Sequence, residues 1–136
     1  TGDIWNAGNP LTFGTTGQSL RVENMEILEN GTRTKAISIA AHIQNVGDVD
    51  YQNGFAGTSG RGLRMEAVRL KLNGDLSDKY DIYYRGHVQN YGWLGWAKNG
   101  EAAGSQGKGL RIESVQVVIV PKGAGAPGST DRPLIK

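Results

Sequence analysis

The sequence has no cysteine, no long apolar run and little net charge, and each absence excludes a class of protein. Without cysteine, the chain cannot be a small scaffold held together by disulfides. No apolar segment approaches the roughly 20 residues that a membrane-spanning helix needs. A formal charge of +2, with Lys and Arg spread along 136 residues, is too weak to indicate a nucleic-acid or lipid partner. We therefore expect a protein that binds no nucleic acid and does not insert into a membrane.

The sequence also lacks the motifs that identify common catalytic and metal sites. It contains no nucleophile elbow, no phosphate-binding loop and no dinucleotide-binding glycine pattern. His42 and His87 lie far apart and the chain has no cysteine, so they make a poor zinc set. Asp75, Asp78 and Asp81 recur every three residues, but a calcium loop requires another ligand spacing and a glycine. We therefore expect no catalytic activity, no cofactor and no metal.

One sequence pattern occurs three times along the chain. It reads G-[TS]-x-G-x-[GS]-L-R-[VMI]-E-x-[MV]-x-[ILV] and begins at Gly14, Gly57 and Gly104. The copies start about 45 residues apart, and the interval from Gly104 through the C terminus round to Gly14 is about as long. This spacing predicts a single domain, residues 1–136, in which three units close into a pseudo-threefold ring. One unit is then split between the N and C termini.

The apolar pattern within each copy predicts strands rather than helices. Leu63 and Met65 alternate with polar residues, the apolar phase then slips by one residue at Val68, and the other two copies slip likewise. A slip of one residue within a strand indicates a β-bulge. No helical period persists along the chain. The expected class is all-β, with about four antiparallel strands in each unit and about twelve in all.

Asn-Gly pairs mark the expected turns, because both residues readily adopt the positive φ of a tight hairpin. Asn30-Gly31 and Asn73-Gly74 each follow the repeated strand. They predict hairpins that lead into a second long strand, residues 35–43 in one unit and residues 80–88 in the next.

The third unit predicts a strand at the C terminus. Residues 134–136 fall where residues 87–89 fall in the unit before, so we expect them to pair beside the N-terminal segment. Three such units fit either a β-prism of three four-stranded sheets or a β-trefoil, in which hairpins cap a six-stranded barrel. The length of the predicted strands favours the prism.

The chain resembles a known repeat from His87 onwards. His87-Val88-Gln89, Gly92-Trp93, Trp96, Asn99-Gly100 and Leu110-Arg111-Ile112-Glu113 match the pattern of the ChW repeat, a clostridial hydrophobic repeat with a characteristic tryptophan. The resemblance spans most of the chain. It implies a secreted or surface module of Gram-positive bacteria whose suggested role is recognition or attachment.

Differences between the units separate two kinds of tryptophan. Asp48 stands where the next unit has Trp93, so the fold does not require that tryptophan. Tyr51 and Trp5 stand where Trp96 stands, and we interpret these three as one repeated layer of the core.

Aromatic rings near a strand end can stack on the apolar faces of sugars, while amides and imidazoles bond to sugar hydroxyls. We therefore predict a ligand site in the third unit, with Trp93 as its first contact. The predicted contact residues are Trp93, Tyr91, Gln89, Asn90, His87, Trp96 and Asn99.

Polar residues that recur in every copy are interpreted as structural. Each unit of the fold needs its own set of structural residues, whereas one catalytic site would suffice for the whole protein. We expect Glu23, Glu66 and Glu113 each to face either the arginine two residues earlier on the same strand face or a neighbouring unit. His42 and His87 occupy matching strand ends, where we expect bonds to the backbone.

The function favoured by these residues is a non-catalytic extracellular module that binds carbohydrate, either a bacterial cell-wall polymer or a host-surface glycan. The alternative is an adhesin-type module that binds a host or partner protein through a strand edge or an aromatic patch. Soluble sugars should compete for the first kind of binding and not for the second.

Overall fold

The computed structural model describes residues 2–3, 11–14, 22–58 and 62–135. These residues form an all-β structure with one helical turn, α1 (Leu76–Lys79). The strands are β1 (Gly2–Asp3), β2 (Leu11–Gly14), β3 (Asn24–Glu29), β4 (Thr32–Arg33), β5 (Ile37–Ile43), β6 (Gly47–Asn53), β7 (Phe55–Gly57), β8 (Met65–Leu72), β9 (Tyr80–Val88), β10 (Gly92–Trp93), β11 (Ala97–Lys98), β12 (Ala103–Ser105), β13 (Ile112–Pro121) and β14 (Leu134–Ile135).

The strands form three sheets. In the first, β3 pairs with β1, β4 and β7. The second has the order β10-β9-β13-β2, with β11 also paired to β9, and the third has the order β14-β12-β8-β5-β6. Each sheet therefore contains the long strand of one copy of the repeat. The described residues do not close any sheet into a barrel, which a trefoil would require.

The predicted bulge lies at the glutamate of the repeat. Glu66 in β8 and Glu113 in β13 are skipped in the ladders to β5 and β9, while the residues on either side of each are paired. A bulge turns one side chain away from the regular alternation of the strand. The glutamate side chain therefore points in a direction that it could not adopt in a regular strand.

Of the two predicted hairpins, the one at Asn30-Gly31 forms a turn, but it leads into the short strand β4, and the long strand β5 pairs with β6 and β8 instead. Asn30 (φ 52°) and Gly31 (φ 84°) form the two-residue turn between β3 and β4. The hairpin predicted at Asn73-Gly74 is wrong, because the chain there forms α1 and β9 pairs with β13 in another sheet. β8 cannot accept β9, since β5 and β12 already occupy both of its hydrogen-bonding edges. The helical turn also corrects the expectation of no helix.

The C-terminal strand is placed differently from the prediction. β14 pairs in parallel with β12, through Leu134 beside Gly104 and Ile135 beside Ser105. Among the described residues it does not pair with β1 or β2, and β1 pairs in parallel with β3 instead. The side chain of Ile135 is fully buried in this position, which favours the pairing with β12. The strands are therefore not all antiparallel.

The core is built from matching apolar positions of the three copies. At these positions the residues are at most 2% exposed, and they are Met25, Ile27, Val68, Leu70, Val115 and Val117. Tyr83 and Val118 are cross-strand neighbours that alternate with core residues of β9 and β13. With Trp96 they form a second, smaller cluster on the opposite face of the second sheet.

The first glycine of each copy lies against the backbone of another copy. These glycines have φ of 93°, 110° and 123°, and a Cβ on any of them would lie 2.3–2.4 Å from a glutamate carbonyl oxygen. The contacts are Gly14 with Glu113, Gly57 with Glu23, and Gly104 with Glu66. Glycine is required there because it alone has no Cβ and tolerates positive φ freely.

Candidate functional site

The candidate site is a cleft of about 600 Å³ on the face of the second sheet that carries Arg85. We call it the aromatic cleft. Strands β9, β10 and β13 supply one side of it and the loop before β14 supplies the other. Its lining residues are Arg85, Trp93, Leu94, Gly95, Trp96, Gln116, Pro127, Gly128, Ser129, Asp131 and Arg132.

Arg85 lies between the two tryptophan rings of the cleft. Its Cζ is 4.6 Å from the ring centroid of Trp93 and 4.8 Å from that of Trp96. Its Nε donates a 2.9 Å hydrogen bond to Oε1 of Gln116, the residue opposite it on β13. Burial lowers the pKa of Arg85 from its usual value, yet a guanidinium keeps its charge at neutral pH. The cleft therefore holds a fixed cation bracketed by two aromatic rings.

Trp93 is partly exposed and held from two sides. Its ring meets the imidazole of His87 edge to face, with centroids 5.2 Å apart and planes at 83°. His87 is its cross-strand neighbour on β9, and Arg85 occupies the next position on the same face. An aromatic ring so restrained loses little conformational entropy when a ligand stacks on it.

Trp96 is 5% exposed and anchors the far wall of the cleft. Its backbone N–H donates a 2.9 Å hydrogen bond to the carbonyl of Ser129, and a Cβ on Gly128 would lie 3.1 Å from its Nε1. The predicted burial of Trp96 is confirmed, but it packs in the smaller cluster rather than the main core. Tyr51 is only partly buried and Trp5 lies outside the described residues, so a shared core layer is not found.

The predicted pairing of arginine with glutamate is confirmed in two copies. Arg64 Nε donates to Oε2 of Glu66 at 2.9 Å, and Arg111 Nη2 donates to Oε2 of Glu113 at 3.0 Å. Both carboxylates are less than 10% exposed, so each charge is balanced where water is scarce. Arg21 of the first copy lies outside the described residues.

The histidines contact carboxylates, and the prediction of backbone bonds is wrong. His42 Nδ1 lies 2.9 Å from Oδ1 of Asp48, and its Nε2 lies 3.5 Å from Oε1 of Glu66. His87 Nδ1 lies 3.2 Å from Oε1 of Glu113, but the angle does not suit a hydrogen bond, and this buried nitrogen has no other partner among the described residues. The cause is the bulge, which brings the glutamate beside the histidine of the neighbouring strand.

A metal-binding cluster and a membrane-spanning helix are both absent from the part of the chain that the structure describes. It contains no group of three or more His, Asp or Glu side chains arranged to hold a metal ion. It also contains no helix long and apolar enough to cross a membrane.

Comparison with protein families decides what kind of repeat this is. The family model described as Clostridial hydrophobic W matches residues 42–74 and again residues 87–121, which together make up half of the chain. The chain belongs to the ChW family. Searches of curated proteins and of solved structures gave no significant match. Each matched ChW repeat begins at a histidine and passes through a hairpin turn, and the first ends two residues after β8 while the second ends at the last residue of β13.

Two of the predicted contacts, Gln89 and Asn90, form the ChW hairpin turn. The backbone N–H of Gln89 donates to the carbonyl of Arg111 at 3.0 Å, and its side-chain oxygen accepts from the N–H of Arg111 at 3.4 Å. Gln44 makes the same pair of bonds to Arg64 in the other ChW repeat. Asn90 has φ 70°, which asparagine tolerates well. Both amides therefore have a role in the fold, and their contact with ligand stays a prediction.

Tyr91 and Asn99 lie away from the aromatic cleft. Tyr91 stands at the tip of the turn and is 50% exposed. Asn99 lies at the opposite end of β9 from His87, roughly 15 Å along the strand. There its Oδ1 accepts from the N–H of Ile82 and its Nδ2 donates to Oδ1 of Asp81, both at 3.0 Å. The structure thus brings Trp93, Trp96 and His87 together and leaves Asn99 apart.

Sequence reasoning missed Arg85, Gln116 and the loop that closes the cleft. Arg85 could have been found from the sequence, because it lies two residues before His87 in a predicted strand and so shares its face. Gln116 could be found only once β13 was known to pair with β9. Residues 127–132 carried no signal, since their place depends on a buried tryptophan distant in sequence.

Proposed function

We propose that this chain is a non-catalytic extracellular recognition module that binds carbohydrate, a bacterial cell-wall polymer or a host-surface glycan, through the aromatic cleft. The observation that carries the proposal is Trp93, a restrained and partly exposed ring in a sugar-sized cleft. Its counterpart in the other ChW repeat is Asp48, so its presence serves something other than the fold.

The chemistry of the cleft suits a sugar. Rings of pyranose type present apolar C–H faces that stack on an indole, and their hydroxyls need donors and acceptors at the edge of the stack. Trp93 supplies the flat face. Arg85 supplies donors, and Asp131 on the opposite wall supplies an acceptor. The same proposal includes a secreted or cell-surface location in a Gram-positive bacterium, which membership of the ChW family supports.

The proposal for the architecture is a β-prism in which three units form a pseudo-threefold ring, one of them split between the termini. Three contacts support it, since Gly14, Gly57 and Gly104 each abut a glutamate of the copy that precedes it in a cycle. Backbone bonds follow the same order, from the N–H of Met65 to the carbonyl of Val22 and from the N–H of Val22 to the carbonyl of Ile112.

The first test compares wild type with Trp93→Ala for binding to insoluble Gram-positive cell walls and to a glycan array. Loss of the stacked ring should weaken binding about fivefold or more, because aromatic stacking contributes on the order of 1 kcal/mol or more. Phe55→Ala is the matched control, since its ring also contacts an arginine, with Arg33 Cζ 4.1 Å from the ring centroid, but does not line the aromatic cleft. Circular dichroism checks that each variant folds.

Retention of binding by folded Trp93→Ala would contradict the site, and failure of wild type to bind any glycan would contradict the function. The second result would favour a protein partner. Among the described residues, Tyr91 and Val46, at the tips of the two ChW turns, are the large exposed apolar side chains, and no described strand pairs with the outer edge of β6. A flat protein contact would then be sought around these turns.

A further inference from the structure

A second cleft, of about 290 Å³, lies at the corresponding place in the other ChW repeat. We call it the polar cleft. Its floor consists of small side chains, among them Ala40 and Ala67. Its polar and aromatic lining residues are His42, Asp48, Asp50, Tyr51, Arg69 and Gln106.

The polar cleft differs from the aromatic cleft in the strand that carries the arginine. In the aromatic cleft Arg85 of β9 faces Gln116 of β13, whereas here Ala40 of β5 faces Arg69 of β8 in the same register position. Alanine leaves open the space that Arg85 fills in the other repeat. Arg69 is exposed, and its Nη1 donates a 3.5 Å hydrogen bond to the carbonyl of Gly100.

The side chains around this space offer groups that differ from those of the aromatic cleft. Asp48 accepts from His42 through Oδ1, and Asp50 accepts the N–H of Tyr51 through Oδ1 at 2.8 Å. The Oδ2 atoms of both aspartates have no hydrogen-bond donor among the described residues. The ring of Tyr51 is partly exposed, with Lys71 Nζ 4.3 Å from its centroid. One aromatic surface is therefore combined with two carboxylates that have spare acceptor capacity.

We propose that the polar cleft is a second carbohydrate site and that it selects an amino sugar over an acidic sugar. The inference rests on the proposed function and extends it to a second site. Tyr51 provides the face on which a sugar ring stacks, and Asp48 and Asp50 accept hydrogen bonds from its ammonium and hydroxyl groups. Charge-assisted bonds of this kind are about twice as strong as neutral ones, whereas Asp48 and Asp50 would repel a sugar carboxylate against the attraction of one arginine, Arg69.

The experiment is an NMR titration of the ¹⁵N-labelled chain with glucosamine, N-acetylglucosamine and glucuronic acid. Glucosamine should shift the amides of residues 47–51, 69 and 106, with an affinity at least about tenfold above that for glucuronic acid. Asp50→Asn should weaken glucosamine binding about tenfold. Asp75→Asn is the matched control, because Asp75 is exposed and lies outside both clefts, and it should leave the titration unchanged.

Equal affinity for the two charged sugars, or unchanged affinity in Asp50→Asn, would overturn the inference. The same titration of Trp93→Ala separates it from the proposed function. Shifts confined to the aromatic cleft and lost in Trp93→Ala would leave the proposed function standing and remove the second site. Shifts confined to the polar cleft would support the second site and contradict binding at the aromatic cleft. The absence of shifts with any sugar or cell-wall fragment would contradict both sites.

Discussion

Asp81, one of three aspartates that recur every three residues, illustrates at the scale of one residue how a carboxylate serves the fold. It is 1% exposed, accepts from Asn99 through Oδ1 at 3.0 Å, and accepts the N–H of Gly123 through Oδ2 at 3.0 Å. Lys122 Nζ lies 3.4 Å away. The bond from Gly123, then that from Asn99, lowers the pKa of Asp81 from 3.8 to about 2. The carboxylate thus joins the end of β13 to the start of β9.

This pKa gives a pH dependence of stability with a definite sign. Because the folded pKa lies below the unfolded one, the ionised carboxylate stabilises the fold fully above about pH 4 and loses this effect as the pH falls towards 2. We expect wild type to lose stability more steeply than Asp81→Asn over that interval, and Asp81→Asn to be the less stable protein at neutral pH. Urea unfolding of both proteins at several pH values measures this. Parallel losses would assign the acid sensitivity to other groups.

At the scale of elements, the pattern within a strand was predictable and the partner of each strand was not. The alternation and slip around Glu66 and Glu113 gave the strands and their bulges, because both follow from neighbouring residues. Asn73-Gly74 gave a wrong hairpin, because the edges of β8 are taken by strands distant in sequence. The same limit applies to the site. Trp93 and His87 were found from the repeat, whereas Gln116 and residues 127–132 reach it only through tertiary pairing.

β14 offers a test of one element whose partner was predicted incorrectly. Ile135 is fully buried and Leu134 is only partly buried, although both pair with β12. Ile135→Ala should cost about 2–5 kcal/mol of unfolding free energy, because it removes buried methyl groups and leaves a cavity. Leu134→Ala is the internal control and should cost clearly less. Equal losses in urea unfolding would indicate that backbone pairing, rather than burial of Ile135, holds the strand.

At the scale of the whole molecule, repetition separates what the fold requires from what it leaves free. The bulged glutamate, its arginine partner and the turn glutamine recur in both ChW repeats and pair with the same partners. The residues that line the two clefts differ. Trp93 and Arg85 in one repeat correspond to Asp48 and Ala40 in the other. A common frame thus presents two clefts of different chemistry, which is why function has to be sought where the repeats disagree.

The proposed ring makes a prediction about glycines that lie far apart in sequence. If the units are equivalent, Gly57→Ala and Gly104→Ala should destabilise the protein by similar amounts, about 2–4 kcal/mol, since each new Cβ would overlap a glutamate carbonyl at a strained φ. Gly107→Ala is the control, because its φ is 75° but no atom lies within 4 Å of its Cβ position, and it should cost about 1 kcal/mol. Urea unfolding measures all three. A large loss at Gly104 with little at Gly57 would mean that the first copy does not close the ring as the others do.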